Sequence, residues 1–333
     1  MPLRVAINGF GRIGRAFFRR AWRTRALEIA AINDLADPAT AAHLLRFDSV
    51  AGTSRWKVGH DDAALVVGGR RIPYYSFRHP GELPWRAEKI DLVMEATGVF
   101  TERAQASRHL EAGAGRVVIT APSADPDLTV VLGVNHGELD STHHRILSNA
   151  SCTTNCLAPV LKVIDDTLGI ERGLFTTVHS YTNGQPLLDT PRTDLRRARG
   201  GAMTMLPTTT GATRALYRVL PGLAGKIDGM SIRVPTPNVS LIDLAVTVSR
   251  STTTEEVNAI FKKAARGELR RILSHSEVPL VSSDYNGDDH SAVVDATLTT
   301  VTGGNLVRVV AWYDNEAAFS RRLVELARLV GGR

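Results

Sequence analysis

Apolar positions in the first half of the chain gather in short, nearly continuous runs. Residues 3–8, 29–32, 90–97 and 117–120 each read as a strand, the later two buried on both faces. Helical periodicity fills the stretches between, over Arg15 to Trp22 and residues 38–47, while 64–67 and 71–75 flank Gly68-Gly69 as a hairpin. Strands alternating with helices predict a mostly parallel sheet that presents ligands to the C-terminal ends of its strands. Near the middle, Arg145-Ile146-Leu147 runs into a polar turn, after which Leu157, Val160, Leu161 and Ile164 recur at helical spacing. A strand therefore hands over to a helix at Cys152.

Beyond that point the pattern changes. Residues 174–180, 229–235, 239–249, 292–299 and 306–313 read as strands, with one helix over 254–268, which predicts a mainly antiparallel sheet in an α+β unit. Residues 181–203 form a long polar segment with no periodicity, the kind of connection that is usually functional or disordered. Pro207 to Gly211 reads as the opening of a helix. Residues 317–330 put Phe319, Leu323, Leu326 and Leu329 or Val330 on one side of a closing helix, expected to return to the first domain.

Length and composition narrow this picture without redirecting it. The 333 residues suggest two domains, and 43% hydrophobic with 22% charged residues is ordinary for a soluble globular protein. Two cysteines provide no disulfide framework and no metal site. No apolar run approaches the roughly 20 residues that span a bilayer, and the chain enters a strand at once, so no signal peptide is expected and the expected location is cytoplasmic. The net charge of +6 and pI of about 9.6 raise the question of nucleic acid. The arginine pairs, Arg19-Arg20 to Arg321-Arg322, are scattered, and no nucleic-acid module appears. Phosphorylated substrates and an anionic cofactor explain the charge.

Candidate chemistry falls at the element ends. Gly9, Gly11 and Gly14 form G-x-G-x-x-G between a strand and a helix, and Asp34 lies 34 − 14 = 20 residues further, at the end of the next strand. That is the dinucleotide pattern, with the phosphates on the helix N-terminus and the carboxylate on the ribose. A carboxylate there favours NAD over NADP; the alternative is a strand-end turn residue. Thr97, Gly98 and Thr120 sit at strand ends, where they either touch the cofactor or make turns. Cys152, at a helix start, is placed for thiolate stabilisation by N–H groups and the helix dipole, with Thr153 and Thr154 beside it; a buried structural thiol is the competing reading. Cys156, one turn on, is expected to pack. His179 ends a strand 179 − 152 = 27 residues later and would pair with the cysteine as a general base. Arg196, Arg197 and Arg199 suit phosphate or subunit contacts, while Thr208 to Gly211 suit a second anion site or a helix cap.

Six stretches resemble the phosphorylating glyceraldehyde-3-phosphate dehydrogenase family in order and spacing along nearly the whole chain. They are Ile7-Asn8-Gly9-Phe10-Gly11-Arg12-Ile13-Gly14-Arg15, Ala150-Ser151-Cys152-Thr153-Thr154-Asn155-Cys156-Leu157-Ala158-Pro159, His179-Ser180-Tyr181-Thr182-Asn183, Asp194-Leu195-Arg196-Arg197-Ala198-Arg199, Arg233-Val234-Pro235-Thr236-Pro237-Asn238-Val239-Ser240, and Trp312-Tyr313-Asp314-Asn315-Glu316. The resemblance implies a Rossmann-type domain over 1–150 completed by 316–333, and a catalytic domain over 151–315 that contains an S-shaped loop at 181–203. It implies attack by Cys152 on an aldehyde, proton removal by His179 during hydride transfer to NAD, and cleavage of the resulting thioester by inorganic phosphate. Thr182 and Arg233 would hold the phosphate of glyceraldehyde 3-phosphate. Ser151, Thr153, Arg197, Thr210 and Gly211 would handle or adjoin the incoming phosphate. Arg12, Ile13, Asp34, Thr120 and Asn315 would contact the cofactor, and the S-loop, with Pro191 in its NAD-specific form, would join a homotetramer.

Two departures stand out. Ala317 replaces the aromatic residue usual after Asn-Glu, and Gly184 stands where Asp or Thr is frequent. The alternatives are an erythrose-4-phosphate dehydrogenase, a paralogue using another oxyanion such as arsenate, and a non-catalytic NAD-binding scaffold.

Overall fold

The computed structural model describes residues 1–332. Its contacts divide the described residues into two units, one of residues 1–130, 137–150 and 320–332, the other of 131–136 and 151–319. The chain passes from the first unit to the second between Ala150 and Ser151, and the second unit also takes 131–136 and runs to Phe319. Arg333, the last residue of the expected 316–333 segment, lies outside the described residues.

The first unit contains β1 (Leu3–Asn8), α1 (Arg12–Ala21), β2 (Leu27–Asn33), α2 (Pro38–Arg46), β3 (Val58–Asp61), β4 (Ala64–Val67), β5 (Arg70–Tyr75), β6 (Leu92–Glu95), α3 (Arg103–Glu111), β7 (Arg116–Ile119), β8 (Leu128–Thr129) and β9 (Ile146–Ser148). The strands form one sheet in the order β3-β4-β5-β2-β1-β6-β7-β9-β8. All pairs are parallel except β3–β4 and β4–β5, the two made by hairpin-type connections. Central β6 shows why its sequence is a continuous apolar run: all four residues are buried. Each buried Leu, Val or Met side chain there contributes on the order of 1.5–3 kcal/mol. Glu95 is the polar exception in that strand.

The second unit contains α4 (Cys152–Leu168), β10 (Ile170–Ser180), β11 (Leu206–Thr209), α5 (Ala212–Val219), β12 (Ile227–Val234), β13 (Ser240–Val248), α6 (Thr254–Arg266), β14 (Leu273–Ser276), β15 (Ala292–Asp295), β16 (Thr300–Thr302) and β17 (Leu306–Tyr313). The main strand order is β11-β12-β10-β13-β17-β15-β14, with β16 paired to β17. The sheet is mainly antiparallel, and β10–β12 and β14–β15 are its parallel pairs among the described residues. Strict burial of alternate residues along β13, with Ile242, Leu244, Val246 and Val248 inward, is the signature of a sheet with one covered face. The final helix, α7 (Ala317–Val330), has the predicted bounds. Pro207 to Thr209 do not open a helix: they lie in β11 and pair with Met230 to Ile232, and α5 starts at Ala212. Among the described residues, no helix is long and apolar enough to cross a membrane.

Candidate active site

The three glycines after β1 answer three different demands. Gly9 has φ +92°, and a Cβ there would lie 2.6 Å from the Thr97 nitrogen. At Gly14 a Cβ would sit 2.1 Å from the Gly9 carbonyl oxygen, so α1 can approach β1 only without a side chain there. At Gly11 a Cβ would meet no protein atom within 4 Å. Gly11 therefore leaves the space beside it open. With Gly9, Asp34, Phe77 and Thr97 it lines a cleft of about 490 Å³. Asp34 accepts from the Phe10 N–H at 2.5 Å through one oxygen and from the Ala36 N–H at 2.9 Å through the other. Each oxygen keeps a second lone pair for a ribose hydroxyl. An open glycine face, a helix N-terminus and a partly exposed carboxylate fit a dinucleotide. Arg12 opens α1 and pairs with Asp48 at 2.9 Å, followed by Ile13. Gly98 has φ +72°, and Thr120 follows β7 with its N–H on the Glu95 carbonyl.

The second unit assembles a different site. Ala150 adopts φ +56° ahead of it, a left-handed conformation costing about 1–2 kcal/mol for a non-glycine residue. Ser151 caps α4, accepting from the Thr154 N–H at 3.0 Å. Cys152 follows as the first helical residue, partly exposed, its Sγ 3.5 Å from His179 Nε2. His179 reaches it from near the end of β10, and the parallel pairing of β10 with β12 sets Arg233 directly beside His179. Tyr313 supports the pair from β17: its hydroxyl lies 2.9 Å from Thr153 Oγ1 and 2.8 Å from Thr177 Oγ1, and its ring meets the imidazole edge-on at 6.0 Å.

Burial pushes the Cys152 thiol up, against the pull of the Arg233 charge and of the Thr153 N–H and hydroxyl. The thiolate preference expected from the helix N-terminus is therefore outweighed when sulfur is considered alone. The imidazole of His179 is pushed down to about 3, first by desolvation and then by Arg233. Its Nδ1 has two neighbours at 2.7 Å, the Ser180 carbonyl oxygen and Arg233 Nη1. The carbonyl requires an Nδ1–H, whereas the guanidinium only donates and requires a lone pair. One nitrogen cannot satisfy both. When it serves Ser180, the Nε2 lone pair faces sulfur, and Arg233 still reaches the same carbonyl at 3.2 Å.

The other candidates fall around this centre unevenly. Arg197 donates to Thr208 Oγ1 at 2.8 Å and to the Thr209 carbonyl at 3.3 Å, and its charge is felt at Arg233. Thr210 and Gly211 precede α5, with the Ala212 N–H on Thr210 Oγ1. Thr182 is exposed in a turn closed by Gln185. Thr153 is buried, with its hydroxyl 2.9 Å from that of Tyr313. Asn315 Oδ1 accepts from Ser180 Oγ at 2.9 Å. Sequence reasoning gives Tyr313 and Thr177 no site role: Thr177 shows only as a hydroxyl side chain in an apolar strand, and Tyr313 only as a member of the matching Trp312 to Glu316 stretch. Cys156 is fully buried, as expected of a packing thiol.

Comparison with known proteins gives concordant matches to both halves. Residues 3–103 match the family model described as glyceraldehyde 3-phosphate dehydrogenase, NAD binding domain, and 151–315 match the one described as its C-terminal domain. The chain is 50% identical to glyceraldehyde-3-phosphate dehydrogenase of Priestia megaterium, covering 100% of this chain and 99% of that protein. It is 51% identical to glyceraldehyde-3-phosphate dehydrogenase 1 of Bacillus subtilis, over 99% and 98% of the two chains, and to the Geobacillus stearothermophilus enzyme, over 100% and 99%.

Proposed function

The chain belongs to the glyceraldehyde-3-phosphate dehydrogenase family, and from that premise we propose that Cys152 is its nucleophile and His179 its general base. The activity is the NAD-dependent oxidation of glyceraldehyde 3-phosphate. NAD supplies the hydride acceptor when bound, with Gly9, Gly11, Arg12, Ile13, Gly14, Asp34, Thr97, Gly98, Thr120 and Asn315 as its proposed contacts. The observation that carries the assignment is the 3.5 Å approach of His179 Nε2 to Cys152 Sγ.

In this reading Cys152 Sγ bonds to the aldehyde carbon, giving a hemithioacetal. His179 Nε2 takes the hydroxyl proton as that carbon gives up hydride, leaving a thioester on Cys152. Inorganic phosphate attacks the thioester carbon, the C–S bond breaks, and acyl phosphate and thiolate result. Arg233 and Thr182 hold the substrate phosphate; Arg197, Thr210, Gly211 and Ser151 receive the attacking one, and Thr153 adjoins it through sulfur. An anion that draws Arg233 from Nδ1 frees the imidazole to accept a proton, so substrate binding itself would prepare the base. The names of the relatives favour this substrate over erythrose 4-phosphate or a non-catalytic scaffold.

NADH formation from glyceraldehyde 3-phosphate by the parent and by Cys152→Ser tests the assignment. Loss of turnover in a variant that still binds NAD is expected; equal rates would remove Cys152 from the mechanism. A homotetramer is supported by Leu187, Leu188, Leu195 and Met203, each more than 70% exposed on the 181–203 segment. Sedimentation as a monomer at assay concentration would overturn it.

A further inference from the structure

Beneath the dinucleotide cleft lies a buried polar cluster that the reaction does not use. Glu95, at the end of β6, is 1% exposed. Its Oε2 accepts from Asn8 Nδ2 at 2.6 Å and faces His109 Nε2 at 3.0 Å, while Oε1 accepts the Thr97 N–H at 2.9 Å and the Thr97 hydroxyl. His109, on α3, is completely buried, with Nδ1 2.9 Å from Trp85 Nε1. An indole N–H only donates, so Nδ1 must be the acceptor and the ring proton must sit on Nε2, directed at Glu95. The 3.4 Å approach of Asn8 Nδ2 to His109 Nε2 is then a contact of two donors, not a hydrogen bond. Glu95 thus meets four donors, as many as a carboxylate has lone-pair sites.

The chain of bonds continues to the cleft on both sides. Asn33 Nδ2 donates to Asn8 Oδ1 at 2.7 Å and to the Phe77 carbonyl at 3.0 Å, and the Phe77 N–H returns to Asn33 Oδ1 at 2.9 Å. On the other side Thr97 Oγ1 accepts from the Val99 N–H at 3.1 Å. Asn8, Asn33, Phe77, Thr97 and Val99 all line the cleft; His109 and Trp85 do not. One carboxylate ties these lining segments together, and one imidazole orients that carboxylate.

We propose that His109 is a positioning residue for the dinucleotide, acting through the Nε2–H bond that holds Glu95 in register with Asn8 and Thr97. The inference rests on NAD being the cofactor and goes beyond the residues that touch it. Without that donor, a buried carboxylate lone pair is left unmet, and Glu95 can recover a partner only by drawing Asn8 or Thr97 out of place.

Two substitutions separate the bonds. Gln places an amide nitrogen at about the depth of Nε2 and keeps the donor to Glu95; Asn places an amide oxygen at about the depth of Nδ1 and keeps the acceptor for Trp85. NAD dissociation constants from calorimetry should stay within about threefold of the parent for His109→Gln and weaken about tenfold or more for His109→Asn, the range of one charge-assisted bond. The kcat at saturating NAD should change little in either. His109→Asn that binds NAD like the parent would overturn the proposal, as would affinity falling in both variants in step with their melting temperatures. A parent that fails to bind NAD would instead overturn the family-based reading. Nitrogen-15 NMR of the parent gives a check that needs no variant: His109 should be neutral with its proton on Nε2, and the opposite tautomer would contradict the assignment.

Discussion

Two buried polar clusters, one in each unit, are built in opposite ways. In the first, every group around Glu95 has a compatible partner, and one assignment of donors and acceptors satisfies them all. In the second, His179 Nδ1 stands between a carbonyl and a guanidinium that require opposite states of the same nitrogen. A saturated network has one arrangement and holds a binding surface still; a contested one has two, separated by a proton and a small movement of Arg233. With the proposed roles, the contrast gives rigidity to cofactor recognition and bistability to chemistry.

The largest effect that would break this contrast is at the base. His179→Asn should lower kcat by about 100-fold to 10,000-fold while leaving NAD affinity unchanged. Turnover at the parent rate would remove His179 from proton transfer. Next come the glycines, which divide fold from ligand within one motif. Gly14→Ala forces a Cβ onto the Gly9 carbonyl and should destabilise the fold by about 1–3 kcal/mol or more in thermal melts. Gly11→Ala meets only open space, so its melting temperature should hold while NAD affinity falls. Equal melting losses would show that the motif has no such division.

The smallest expected effect is the most specific to the contested nitrogen. Burial and the Arg233 charge both hold the His179 pKa below its ordinary value. Removing the charge with Arg233→Met should raise that pKa, because the imidazolium no longer faces a guanidinium. The acid limb of kcat/KM should therefore move to higher pH. Measuring it with glyceraldehyde, which lacks a phosphate, keeps the proposed loss of substrate contact out of the result. An unmoved limb would mean that Arg233 does not tune the base.

How far the sequence foretold each region follows from how local its signals are. The cofactor motif lies within six residues of the chain plus Asp34, so pattern and spacing sufficed to read it. The Cys152 turn was equally local. His179 shows in the sequence as a histidine at a strand end, whereas Arg233 is visible only through family resemblance, and their adjacency comes from β10–β12 pairing across 54 residues. Pro207 to Thr209 carried helix-opening residues, yet a partner strand at Met230 to Ile232 decided their conformation. The Glu95 cluster went unread because its bonds join residues as far as 87 apart. A carboxylate inside an apolar run was its one trace.

The most direct test of the central claim is NADH release in the first turnover without inorganic phosphate. A burst of about one NADH per site, followed by a rate that phosphate restores, is predicted for a thioester on Cys152. Steady turnover at the full rate without phosphate would contradict the account, because the thioester would then have another fate.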